Sequence, residues 1–205
     1  MRREISYNEV FDAQKYYRLL MDSMAHPGKI NTLYEMDVQP PAGLNKGAAL
    51  VAFSLLNADV SFHCIDPNHQ EITRYIVLNT SASPAETDTA DFIFIDGSDA
   101  GEEILSAKTG TLPYPEEGAS LIVNVESISA AAREESIKIS VSGPGVLTEE
   151  SFFITGLNEN ILRNFSVMNR EFPLGIDVIF TDAKNNIVCI PRSNKILWKN
   201  NSSRY

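Results

Sequence analysis

Two oppositely charged residues in the last quarter of the chain, Asp177 and Arg192, are the best-placed pair for ionic chemistry. Asp177 sits in an apolar run, Phe172-Pro173-Leu174-Gly175-Ile176-Asp177-Val178-Ile179-Phe180, and Arg192 closes a second one in Ile190-Pro191-Arg192. An acid inside an apolar strand must be paired, hydrogen-bonded or functional. If the two runs form a hairpin, both charges fall toward one end of the sheet, where a bidentate carboxylate–guanidinium pair satisfies them. The alternative is a cleft framed by the two, with Arg192 reaching a phosphate.

A second set of polar side chains comes from Gly110-Thr111-Leu112-Pro113-Tyr114-Pro115-Glu116. Its prolines stiffen the backbone, so Thr111, Tyr114 and Glu116 are presented from a rigid loop of a kind that lines binding surfaces. The plain reading is a connector with a packed tyrosine. His26, before Pro27-Gly28, favours the negative end of a helix; acid–base work by it needs a partner. Arg18, two turns earlier, reads as a solvated charge. His63, Asp66 and His69 are metal-ligand types, but His63 and Cys64 point to opposite faces of a strand, and a strand followed by an Asp-Pro turn explains the segment with no metal. Ser142-Gly143-Pro144-Gly145 is a weak phosphate nest, because Pro144 lacks an amide donor. A dinucleotide fingerprint, a Walker-type phosphate loop, HExxH, a CxxC pair and a nucleophile elbow are all missing from the sequence.

These residues need a scaffold. A chain of 205 residues suits one domain with a sizeable core. No apolar run reaches the roughly 18 residues that suggest a membrane span. Met1-Arg2-Arg3 leads into polar residues, not an apolar export signal. Cys64 and Cys189 fall in apolar strand-like segments and read as reduced core thiols. Without secretion, the Asn79-Thr80-Ser81 and Asn164-Phe165-Ser166 patterns carry no meaning as glycosylation sites. The net charge of −10 argues against nucleic-acid binding. From Ala183 onward there are 5 basic residues and no acid, so the rest carries −15 (−10 minus 5). The basic end reads as a solvated tail from about residue 194, or as a local site for a phosphate or an acidic partner. Ile196-Leu197-Trp198 within it either packs on its own domain or docks on that partner.

The periodicity predicts the elements. Ser6-Tyr7-Asn8-Glu9 is a capping box, and Val10, Ala13, Tyr17, Leu20, Met21 and Met24 form a buried stripe. Asn45 caps a mostly buried helix through Leu56. Strands are expected at 60–65, 91–95, 121–125 and 137–141, then the two closing strands. Helices are expected at 70–78 and 159–169, and a helical turn at 101–107. The interleaving favours an α/β fold, a mixed sheet with helices on both faces.

Taken together, the segments from Gln14 to Gly28, Gly110 to Glu116, Ser142 to Gly145, Phe172 to Asp177 and Ile190 to Ser193 resemble the PhnH family of the carbon–phosphorus lyase pathway. The chain departs from the family pattern in having His26 where arginine is usual and Ser193 where threonine is usual. The resemblance implies a single domain on a reduced pyridoxal-phosphate-dependent-transferase-like fold, a three-layer α/β/α sandwich, that lacks the cofactor. It implies a cytoplasmic subunit, homodimeric when isolated, that contacts the radical iron–sulfur lyase subunit. The complex exchanges the adenine of ATP for an alkylphosphonate, giving α-D-ribose 1-alkylphosphonate 5-triphosphate, with catalysis attributed to another subunit. Expected surfaces for ligand or partner are Arg18, His26, Thr111, Tyr114, Glu116, Asp177 and Arg192, with no metal. A free-standing enzyme or binding protein for a phosphorylated ligand, using the same loop and the Asp177–Arg192 pair, is the alternative.

Overall fold

The structure is a computed structural model that describes Glu4, Tyr7, Asn8 and residues 11–200. In chain order the elements are α1 (Phe11–Ala25), β1 (Asn31–Thr32), α2 (Lys46–Leu55), β2 (Ser61–Ile65), α3 (His69–Thr80), β3 (Ser83–Pro84) and β4 (Phe92–Asp96). Two 3₁₀ turns follow at Glu102–Ser106 and Pro115–Glu117. Then come β5 (Ser120–Asn124), β6 (Ser127–Ser129), β7 (Ile137–Ser142), β8 (Glu150–Thr155), α4 (Glu159–Met168), β9 (Asp177–Thr181), β10 (Asn186–Ile190) and β11 (Lys195–Asn200).

A seven-stranded mixed sheet runs β1-β10-β9-β5-β4-β2-β3. β3, β2, β4, β5 and β9 are parallel, and the β9–β10 hairpin adds the antiparallel edge completed by β1. Its central strands are buried on both faces, as their unbroken apolar runs require. Phe62, Cys64, Phe94, Ile122, Ile179 and Cys189 pack with Tyr16, Leu20, Ile72 and Tyr75 of α1 and α3 and with the buried α2. Ile93, Ile95, Leu121, Val123, Val178 and Phe180 face the other way.

On that second face the structure corrects the expected three-layer α/β/α sandwich. A four-stranded antiparallel sheet, β11-β7-β8-β6, covers it together with α4. The reason is one-sided amphipathicity: Ile137, Ile139 and Val141 alternate with Lys138, Ser140 and Ser142, so β7 needs a core on one side and tolerates water on the other. Of this sheet, the sequence pattern predicts β7 alone as a strand. The residues read as the start of a tail form β11, held on β7 from Lys195 opposite Ser142 to Asn200 opposite Ile137. Trp198 packs against its own domain, with its indole N–H donating to Glu159 Oε2 at 3.3 Å.

α1 lies where periodicity puts it but turned on its axis. Tyr16, Leu20 and Ser23 are buried, while Tyr17 and Met21, assigned to the buried stripe, are 48% and 51% exposed. The Tyr16 hydroxyl donates to the Tyr34 carbonyl at 3.0 Å, which anchors that face. Ser6, Glu9 and Val10 lie outside the described residues. Asn8 and Asp12 cap reciprocally: Asn8 Oδ1 accepts the Phe11 amide, and Asp12 accepts the Asn8 amide, both at 2.9 Å. The cap of α2 is as expected, with Asn45 Oδ1 accepting the Ala48 amide at 2.8 Å.

Candidate functional site

β9 and β10 are antiparallel neighbours, so the start of one and the end of the other share a sheet end. There Arg192 Nη2 donates to Asp177 Oδ2 at 2.6 Å and Nε to Oδ1 at 3.2 Å. The Arg192 amide also donates to Asp177 Oδ1, at 2.8 Å. The guanidinium reaches further, to the carbonyls of Pro115 through Nη1 and Gly118 through Nη2. Most of its donors are therefore spent on protein acceptors, and the pair is largely shielded, with side chains 13% and 21% exposed. The arrangement joins the hairpin to the proline loop. It does not leave Arg192 free to reach a phosphate.

The rest of the expected surface is spread along this side. Thr111, Tyr114 and Glu116 are exposed on the loop, whose Thr111 and Tyr114 amides and carbonyls exchange bonds at 3.1 and 3.0 Å. Gly118 and Gly175 touch so closely that a Cβ on Gly118 would lie 2.3 Å from the Gly175 carbonyl oxygen. Arg18 is exposed on α1. His26 is exposed too, its Nδ1 3.1 Å from Asp22 Oδ1 and 2.9 Å from the Asp22 carbonyl. Lys29 binds the other Asp22 oxygen at 2.9 Å, and the bonds from Lys29 and Asn31 hold the carboxyl below its usual range.

Pro27-Gly28 and Ser142–Gly145 meet in space. A Cβ on Gly145 would sit 2.6 Å from the Ala25 carbonyl oxygen, and the Gly28 amide donates to the Cys189 carbonyl at 3.3 Å. Asn194, just after the Pro-Arg turn, donates to the carbonyls of Ser142 and Pro144 at 3.3 and 2.9 Å. The motif segments of the sequence are thus joints between elements, and their glycines mark close backbone approaches.

Metal-ligand types do not gather. Among the described residues no group of three or more His, Cys, Asp or Glu side chains is placed to hold an ion. His63 turns away from Asp66, with Nε2 3.0 Å from Glu103 Oε1 and Nδ1 2.8 Å from the Ala85 carbonyl oxygen. Both cysteines are free and buried. Burial pushes the Cys64 thiol up to about 12 and raises that of Cys189 as well.

A polar concavity lies at the opposite end of the sheet, where the parallel strands finish. This cleft, of about 500 Å³, is walled by Pro40 to Asn45, Asp96, Ser98, Asn124, Glu126 and Gly156. Carboxyl ends of parallel strands are the usual ligand position in α/β sheets. A polar knot forms its floor. Asn45 donates through its amide to Asn124 Oδ1 at 3.1 Å and through Nδ2 to the Thr181 carbonyl at 2.8 Å; Asn124 Nδ2 in turn donates to the Ile95 carbonyl at 3.2 Å. None of the sequence motifs lines this cleft. Its signals were an asparagine cap following Pro40-Pro41-Ala42-Gly43, and Asp96-Gly97-Ser98 directly after a strand.

Comparison with known proteins decides the family. Residues 6–197 match the model of the family described as bacterial phosphonate metabolism protein (PhnH). The chain belongs to the PhnH family. Its similarity to the α-D-ribose 1-methylphosphonate 5-triphosphate synthase subunit PhnH of Rhizobium meliloti (strain 1021) is 30% identity over 190 residues, 91% of each chain. It is 24% identical over 186 residues to a protein of Stutzerimonas stutzeri named as putative C-P lyase subunit protein HtxG, covering 91% of this chain and 86% of the relative. The family is one of phosphonate metabolism, and both relatives are named as subunits of a larger enzyme.

Proposed function

We propose that this PhnH-family chain is a non-catalytic subunit of the assembly that makes α-D-ribose 1-alkylphosphonate 5-triphosphate from ATP and an alkylphosphonate, releasing adenine. The observation that carries the non-catalytic reading is the use made of the motif residues. Arg192 and Asp177 are consumed in joining a hairpin to a loop, and the Pro27-Gly28, Ser142–Gly145 and Asn194 segments brace one another. Residues so employed hold a shape that another subunit recognises. Exposed Thr111, Tyr114, Glu116, Arg18 and His26 are then contact residues for ligand or partner.

The chain is a reduced relative of the pyridoxal-phosphate-dependent transferase fold that works without that cofactor, in the cytoplasm. Donor chemistry supports this. Among the described residues the cleft at the carboxyl ends of the parallel strands is walled by two carboxylates, Asp96 and Glu126, and by no lysine or arginine. A Schiff-base cofactor with a phosphate needs the opposite charge. No helix among the described residues is long and apolar enough to cross a membrane. Alone the chain forms homodimers, and in the complex it contacts the radical iron–sulfur subunit.

Reconstitution tests the proposal. Omitting this chain from the purified core subunits is expected to abolish stable assembly, while adding it back restores adenine release. Release that proceeds equally well without it, or turnover by this chain alone, overturns the reading. Incubation with pyridoxal phosphate followed by gel filtration is expected to leave no cofactor absorbance on the protein.

A further inference from the structure

The outer face of the four-stranded sheet carries a charge arrangement that the fold does not explain. Lys199 of β11 lies directly opposite Lys138 of β7. Both side chains point to solvent, because Ile137, Ile139, Ile196 and Trp198 take the inward positions. Like charges directly opposite on neighbouring strands are destabilising. Among the described residues neither lysine has a carboxylate within ion-pair distance; the ion pairs of the described residues lie elsewhere. Lys195 adds a third positive charge on the same face.

Protection of an open edge accounts for part of this. β11 is an edge strand, and lysines on edges discourage strand-to-strand aggregation. That reason covers Lys195 and Lys199. It does not cover Lys138, which sits on an interior strand. The apolar residues of the face point the same way. Leu197, between the two β11 lysines, is 73% exposed, and Phe153 of β8 is opposite Lys138. Ser140, Ser142 and Ser151 take the neighbouring outward positions. At its margin Glu149 accepts from Ser140 Oγ at 3.0 Å. A sheet face that sets the exposed Leu197 between cations suits a polypeptide surface better than a small anion, which needs a concave site.

We propose that this face, built on Lys138, Lys199, Lys195 and Leu197, docks an acidic surface of another subunit of the complex, with Leu197 and Phe153 meeting an apolar side chain there. The proposal rests on the subunit reading above and adds the surface and the partner's charge. Repulsion between Lys138 and Lys199 in the free chain is relieved when the partner's carboxylates arrive, which favours association and makes it salt-sensitive.

Copurification of the full-length tagged chain with the other core subunits from the same genome tests this. Lys138→Glu with Lys199→Glu is expected to cut recovery of the partner by about tenfold or more. Arg74→Glu with Lys184→Glu, an equal charge change at exposed positions elsewhere, is expected to leave it intact. Lys199→Glu alone converts the repulsive pair into an attractive one, so β11 stays in place while binding weakens by an intermediate factor. The surface is refuted, with the subunit reading intact, if the double variant at the lysine face binds like wild type or if both double variants lose binding equally. A wild-type chain that self-associates through this face and leaves the other subunits free makes a second copy the occupant and refutes the proposal. A wild-type chain that copurifies with no subunit overturns both readings.

Discussion

Asp177 and Arg192 close the open end of the β9–β10 hairpin, with carboxylate and guanidinium 2.6 Å apart and the Arg192 amide donating to the same carboxylate. Because the guanidinium also holds the Pro115 and Gly118 carbonyls, it fixes the proline loop to the sheet. Arg192→Ala leaves a shielded carboxylate with one donor fewer on each oxygen, takes the guanidinium from the Gly118 carbonyl and leaves the Pro115 carbonyl with the Gly118 amide alone. Urea unfolding is expected to show a loss of about 2–4 kcal/mol. Arg192→Lys is expected to recover less than half of it, because an ammonium cannot span the carboxylate and both carbonyls.

Gly118 admits no side chain. An added Cβ would lie 2.3 Å from the Gly175 carbonyl oxygen and 2.4 Å from Arg192 Nη1. Gly118→Ala must push the loop from the hairpin, and a cost of roughly 1–3 kcal/mol is expected for such overpacking. Protease cleavage within residues 110–118 should quicken in this variant before any global unfolding is seen.

Asn124 ties α2 to the ends of the parallel strands while it floors the cleft. Its Oδ1 takes the Asn45 amide and its Nδ2 reaches the Ile95 carbonyl. Asn124→Ala takes the acceptor from the half-buried Asn45 amide and one donor from the buried Ile95 carbonyl, and a loss of about 1–3 kcal/mol is expected by chemical denaturation.

Alkaline pH should weaken the fold. Burial raises the Cys64 thiol from 9.0 to about 12, and burial, with Asp12 adding to it, raises the Tyr16 phenol from 10.0 to about 12. The unfolded chain therefore releases these protons first as pH rises, and the folded state holds more of them. Stability is expected to be constant below the unfolded values and to fall between pH 9.0 and about 12. The slope should lessen in Cys64→Val. A thiol reagent at mildly alkaline pH should label neither cysteine until the chain is unfolded.

Much of this molecule could be read before any coordinate. The Asn45 cap, the strands at 61–65 and 120–124 and the closing hairpin follow from local chemistry, since each is set by a side chain bonding its own backbone or by an apolar run long enough to span a sheet. The pairing of Asp177 with Arg192 followed as well, because a lone acid in an apolar strand has few other resolutions.

The sequence by itself determined the family, the α/β class, the mixed sheet and the ionic closure of its last hairpin. Tertiary structure alone decided what covers the second face, which way α1 is turned, and that residues 195–200 are a strand. Glu150–Thr155 and Lys195–Asn200 are short and half polar, so their strand state depends on partners distant in sequence. Rotation of α1 by one position exchanged Tyr17 for Tyr16 in the core, a choice made by the hydrogen bond to Tyr34 and the aromatic neighbours around it. The cleft at the strand ends and the lysine face are likewise products of assembly. Residues such as Asn45 and Asp96, or Lys138 and Lys199, are far apart along the chain, and only the register of the sheets sets them side by side.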